Sequence, residues 1–214
     1  MFNTNHRVLL PLLSFLLLPL AVACADPAAD APKAVVEDSA PPADNEMADE
    51  GTPYTLSADS TIGFVGSKVT GSHEGGFESF TGTIRLVEGE PSRSSIEVQI
   101  DTTSLWADDE RLAGHLKSAD FFEVETYPTA TFASTSIAAG EDGGYTVTGN
   151  LDLHGISKQI SFPATIVVGD EGIHAAAEFA IKRFDFGIVY PGKAEDLIRD
   201  DVLVKLDLVA QSAG

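Results

Sequence analysis

Five histidines and one cysteine are the residues of this 214-residue chain best suited to chemistry, and their spacing restricts what they can do. No pair of His73, His115, His154 and His174 stands in an H-x-x-H or H-E-x-x-H arrangement, so no metal site is expected. His154 precedes Gly155 in a predicted tight turn, where its role is a structural hydrogen bond. His174 shares the parity of Glu178 and Lys182 in a predicted strand and faces solvent. His73 sits between Gly71 and Gly75-Gly76, a glycine-rich loop whose amides could approach a phosphate, although the G-K-[ST] of a P-loop is missing. His115 is the remaining candidate, one helical turn from Arg111. The sequence has no G-x-S-x-G elbow, and its single cysteine lies near the N-terminus. Serine and cysteine hydrolysis therefore lack their local signatures, and binding rather than turnover is expected. A hydrolase using His115 is the enzymatic alternative.

The N-terminus carries an address. His6 and Arg7 precede an apolar run, Val8 to Leu20, that contains Pro11 and Pro19 and ends in Ala21-Val22-Ala23. The run is shorter than the ~20 residues of a spanning helix, so residues 1–23 are expected to be a secretory signal peptide. Cys24 follows at the place where bacterial lipoproteins are cleaved and acylated. The match to a lipobox departs at Ala21, where Leu is usual; the other reading is A-x-A cleavage and release of a soluble exported protein. Either way the expected location is the periplasm or the cell envelope, and one cysteine allows no internal disulfide. Residues 25–53 are rich in Ala, Pro, Asp and Glu and contain no aromatic residue. Together with Cys24 they are expected to form a disordered tether, because such a composition buries too little surface to offset ordering.

The charge excludes one class of partner. With 13 basic and 33 acidic residues the net charge is −20, which rules out nucleic-acid binding by an electrostatic footprint. It also opposes adsorption to anionic lipid, so membrane attachment requires an acyl group on Cys24.

From Tyr54 onward the hydrophobic pattern has a period of two. Ile96, Val98 and Ile100 alternate with polar residues, as do Ile160 to Val168, Ile173 to Ile181 and Val202 to Leu208. Roughly eight strands follow, separated by turns such as Glu141–Gly144 and Gly169–Gly172. One interruption reads as a helix near residues 108–118, with Asp108 or Asp109 as its cap and Leu112 and Leu116 facing inward. The aromatic segment after it, ending at Tyr127-Pro128, completes a plug. Patterning alone leaves a sandwich and a closed barrel equally open.

Five stretches carry a more specific resemblance: GGFESFTGTIRL from Gly75, HLKSADFFEVETYPTATFAST from His115, VTGNLDLHGISKQISFP from Val147, IKRFDFGI from Ile181 and DLIRDDVLVKLDLVA from Asp196. In order and spacing, residues 54–212 resemble the YceI-like family, lipocalin-like exported proteins described as polyisoprenoid-binding. The resemblance implies an all-β, eight-stranded antiparallel barrel, residues 54–214, whose interior holds a long isoprenoid such as a polyprenyl phosphate or a quinone tail. No cofactor is implied. Phe64, Phe80, Phe132, Phe162, Phe179 and Ile181 are the aromatic-row candidates for the lining. Leu151, Leu153, Val204 and Leu206 complete it. Arg111 and His115 match the family pattern on the helix; they are candidates for a head group at the barrel mouth, and bracing of the helix is the other role open to His115. The stretch Phe64–Phe77 departs from the family, being glycine-rich where many members carry an apolar helical turn. A ligand-free structural or stress-protective envelope protein is the alternative function.

Overall fold

The computed structural model describes residues 26–40 and 51–212. Its strands in chain order are β1 (Val35–Asp38), β2 (Thr52–Leu56), β3 (Thr61–Lys68), β4 (Gly71–Phe77), β5 (Phe80–Val87), β6 (Glu90–Asp101) and β7 (Leu105–Ala107). The helix α1 (Glu110–Leu116) is followed by β8 (Thr129–Ala139), β9 (Tyr145–Leu153), β10 (Ile156–Gly169) and β11 (Gly172–Lys182). The short hairpin β12 (Gly192–Lys193) and β13 (Asp196–Leu197) precedes the last strand, β14 (Asp201–Ser212).

Period-two alternation makes these segments strands and gives each one wet and one dry face. In β11, Ile173, Ala175, Phe179 and Ile181 are buried, while His174, Glu178 and Lys182 are exposed. β2 with β3, β4 with β5, and β6 with β7 form three long bent staves, because each pair shares its neighbours: β2 bonds β5 while β3 bonds β4. Five further staves follow, β8, β9, β10, β11 and β14, each antiparallel to the one before it. β14 then returns to pair with β2 and β3, which closes an eight-stave antiparallel barrel. Register puts inward side chains on common rungs: Val204 lies opposite Phe179 on one side and Phe64 on the other.

One end of the barrel, the helix end, carries α1, the turn at His154-Gly155 and the loop 183–200. Asp109 caps α1 by accepting from the Leu112 amide at 2.9 Å, as an N-cap carboxylate does. Leu116 packs with Leu105, Phe121 and Ile188 to plug that end.

Two expectations are corrected. The glycine-rich stretch around His73 is a strand, not a loop. Two of its glycines are required by packing: a Cβ on Gly75 would stand 2.5 Å from the Phe64 ring, and one on Gly76 would stand 2.7 Å from the Ile62 carbonyl oxygen.

The second correction concerns the tether, whose described part, residues 26–40, is packed on the barrel. β10 pairs with β11 only from Thr165 to Gly169, leaving a seam toward the helix end. The N-terminal segment fills that seam: Val35–Asp38 bond antiparallel to β10, and Lys33 bridges parallel to Ala180. The Ala180 amide donates to the Pro32 carbonyl at 2.8 Å, and the Ala34 amide donates to the Ala180 carbonyl at 2.9 Å. Ala34 and Val36 turn inward onto the main core. Ala28 is buried on the outer face of the barrel against Val65, Ala180 and Leu203. The composition argument missed this because an existing apolar surface can be covered by alanine. Residues 1–23, Cys24 and residues 41–50 lie outside the described residues.

Salt bridges fasten the strap at both ends, Lys33 to Asp201 at 2.7 Å and Lys158 to Asp38 at 2.9 Å. The hydrogen bond from Lys33 holds the Asp201 carboxyl below the ordinary carboxylate range, against partial burial that pushes the other way. A carboxyl lowered in the fold contributes stability that is complete above the ordinary range and is lost as pH falls through its folded value. Acidification should therefore release the strap before the barrel. Amide exchange at Ala34 and Ala180 followed from neutral to acid conditions should rise, once corrected for intrinsic rates, ahead of exchange in the β8–β9 ladder. Ala28→Asp should cause the same local loss at neutral pH and lower global stability by about 1–3 kcal/mol; unchanged protection at Ala180 would show that Ala28 does not seat the strap.

Candidate functional site

Inward-facing side chains of all eight staves enclose a cavity of about 370 Å³. That is within the ~300–1,000 Å³ of small-molecule sites. Its wall is apolar; polar atoms contribute almost none of its surface. Two aromatic groups divide it along the barrel axis. In the middle, Phe162 stacks on Phe179 with centroids 4.2 Å apart, and Phe132 leans against Phe162 at 5.8 Å. Toward the helix end, Phe64, Phe77 and Phe122 form a second cluster, with centroids 5.8–6.1 Å apart.

The structure brings nine of the sequence candidates together on this wall: Phe64, Phe132, Leu151, Leu153 and Phe162, with Phe179, Ile181, Val204 and Leu206. Phe80 packs on the core without reaching the cavity. Arg111 is exposed and also lies outside the lining. His115 is outside it too. The Nε2 atom of His115 pairs with Asp120 at 2.8 Å, and its ring lies edge-on to Phe121 and Tyr190. It therefore braces the outside of the plug. His154 occupies the turn expected for it, with φ of 52°, and its Nδ1 faces the Phe186 carbonyl at 3.1 Å, which keeps the proton on that nitrogen. His174 is exposed and bonded to Asp207 at 2.6 Å.

Sequence reasoning missed the plug's own contribution, since Leu112, Leu116, Phe121 and Phe122 line the cavity. Their aromatic and i, i+4 pattern was the available signal. It also missed Arg183, which is 5% exposed and sits where the wall meets the loop 183–200. Its guanidinium donates to the carbonyls of Arg199 at 2.9 Å, Ile188 at 2.6 Å and Ile198 at 3.3 Å. Burial lowers its pKa, and the nearby Asp200 charge partly restores it. Three carbonyls from one loop thus converge on one cation. The cation is a fastener for that loop, with its polar atoms turned away from the cavity.

Around the opening, His73 bonds Asp108 at 2.8 Å and Lys68 bonds Asp196 at 2.6 Å. Burial pushes the Asp108 carboxyl up, but hydrogen bonds from His73 and the Glu74 amide outweigh it and hold it below its ordinary value. Among the described residues no three metal-binding side chains come together.

These features define a class: a closed up-and-down β-barrel with a helical plug and an apolar lumen. The YceI-like domain family matches residues 54–210, and the chain belongs to that family. A UPF0312 protein of Pseudomonas putida strain F1 is 34% identical over 137 residues, 61% of this chain and 71% of the relative. A second UPF0312 protein, from Pectobacterium atrosepticum, is 38% identical over 120 residues, 53% of this chain and 62% of the relative. Among solved structures, BcnA of Burkholderia cenocepacia is 27% identical with a TM-score of 0.63, covering 72% of this chain and 98% of BcnA. A polyisoprenoid binding domain from Saccharophagus degradans shares the fold at 22% identity and a TM-score of 0.62, over 76% of this chain and 99% of that domain.

Replacing Arg183 by Met keeps much of its volume and removes all three bonds to the loop. Urea unfolding should show a loss of about 3 kcal/mol, since buried carbonyls are left without donors. Arg183→Lys should recover little of it, because one ammonium cannot serve three divergent carbonyls. Full recovery by Lys would mean that charge, not the fork of donors, holds the loop.

Proposed function

We propose that this chain binds a long isoprenoid lipid, such as a polyprenyl phosphate or a quinone, and shelters its tail in the barrel during storage or transport in the cell envelope. The observation that carries this reading is the cavity inside the barrel with its apolar wall. A hydrocarbon chain seated against this wall contributes about 0.8 kcal/mol per buried CH₂. Lys68 and His73 are lining residues that stand around the opening, so the apolar wall takes the tail and the head stays at the opening. The likeness to a polyisoprenoid binding domain points to the same cargo. Binding without turnover agrees with the placement of His115 outside the lumen.

In this reading the chain is exported, residues 1–23 are removed, and acylation of Cys24 attaches the protein to the envelope membrane.

Native mass spectrometry of the full chain expressed with export, followed by denaturing extraction, tests the proposal. A copurified or reloaded polyprenyl lipid of defined mass is expected. Ala177 lies on the cavity wall, so Ala177→Trp should fill the lumen and abolish uptake while the barrel still folds. Added lipid at 100 times its Kd should stabilise the native protein by about 2.7 kcal/mol and the Ala177→Trp variant not at all. An empty protein that takes up no polyprenyl lipid and gains no stability from it would rule the reading out.

A further inference from the structure

We infer that the helix end of the barrel carries a docking surface for a neutral lipid bilayer, formed by Val69, Phe184, Val189 and Leu197. All four side chains are exposed, at 57%, 48%, 61% and 50% respectively. They come from separate segments, yet the hydrogen bonds gather them into one rim. The Val69 amide donates to the Leu197 carbonyl at 3.3 Å, joining the β3–β4 turn to the β12–β13 hairpin. Arg183 holds the carbonyls of Ile188 and Ile198, the neighbours of Val189 and Leu197, and places its own guanidinium 4.6 Å from the centroid of the Phe184 ring. Four exposed apolar side chains gathered at one end of the barrel suit an interaction site better than ordinary surface scatter does.

Two observations select a bilayer as the occupant. The first is where the described chain begins. Asp26 is fixed at this same end, its carboxylate 3.4 Å from Ser67 Oγ and 3.4 Å from the Arg199 guanidinium. Ser67 is two residues from Val69, and Arg199 is two from Leu197. Cys24 precedes Asp26 by two residues in the sequence, so an acyl group on it would tether the chain within a short reach of the rim. The second is charge. On a chain of net charge −20, three of the acids flanking the rim are paired: Asp196 with Lys68 at 2.6 Å, Asp200 with Lys182 at 3.2 Å and Asp201 with Lys33 at 2.7 Å. This pairing lowers the negative charge at the rim itself, which favours a neutral lipid surface over an anionic one. The inference rests on the lipid-binding reading in one respect only: cargo drawn from a bilayer enters at this end, where Lys68 and Ile198 line the cavity.

The test uses the full chain, reconstituted with phosphatidylcholine vesicles whose acyl chains are brominated. Trp106 is the only tryptophan; in a Trp106→Phe background, Val189→Trp places a probe on the rim. Val167→Trp places one on β10, where Val167 is 54% exposed near the opposite end of the barrel. Bromine should quench most of the emission at position 189 and leave position 167 unchanged. No quenching at 189, or equal quenching at 167, overturns the inference whatever the state of Cys24. As a second measurement, the combined Val69→Asp, Val189→Asp and Leu197→Asp variant should abolish quenching of a Phe184→Trp probe in the same Trp106→Phe background. Its uptake of a polyprenyl lipid presented in detergent, which needs no docking, should be unchanged by denaturing extraction. If quenching persists in a protein that never carries lipid, docking stands and lipid carriage fails. A dimer abolished by the three aspartates, with no quenching, would instead assign the rim to a second copy of the chain.

Discussion

Closure of the backbone hydrogen-bond ladder is the constraint on which everything else here depends. A sheet with an apolar inner face cannot leave an edge open, since unpaired amides and carbonyls beside a dry lumen are costly. Seven of the eight junctions between staves meet this requirement by pairing of neighbouring staves. The eighth, between β10 and β11, does so for only part of its length. The strap supplies the missing partners, and Ala34 and Val36 supply the missing wall. The N-terminal segment is thus part of the barrel's enclosure, although it lies outside the span matched by the family, residues 54–210.

The interior presents the opposite problem, because the staves do not fill the space they enclose. Phe162 and Phe179 stack against one another, and Phe64, Phe77 and Phe122 make a second cluster, yet a wide void separates the walls. A protein selected only for stability would place larger side chains at Ala164, Ala175 and Ala177, which line the same void. The wall is a compromise between packing and vacancy. Stiffness then comes from elsewhere: from the capped helix that plugs one end and from the guanidinium of Arg183, which ties three carbonyls of one loop to β11's end.

Much of this architecture was legible in the sequence. Alternation located the staves, the Gly/Asp turns separated them, and Asp108-Asp109 with the Leu112–Leu116 pair located the helix, the structure choosing Asp109 as its cap. The strap was not legible from its own residues, because alanine gives no hydrophobic signal. The signal lay in its receptor. Val65, Ala180 and Leu203 point outward, opposite in parity to Phe64, Ile181 and Val204, and three apolar residues on a supposedly wet face announce a cover. Arg183 was overlooked for a related reason: its partners are backbone carbonyls, which carry no residue-type signature. Gly75 and Gly76 suggested mobility when they record close packing, since a small residue permits both and only the neighbours decide.

The order of the staves has a consequence for how the protein comes into being. Most staves bond to their immediate successor in the chain, so the first five can zip up locally as meanders. The lumen exists only when β14 joins β2, β3 and β11, pairing Ala210 with Leu56 and Ser212 with Tyr54. Loops of this length close slowly, and they close last. Until β14 emerges from synthesis, the inner face is an open apolar sheet rather than a container. The interval before the last strand arrives is when the chain is most exposed to aggregation and most dependent on a chaperone's cover.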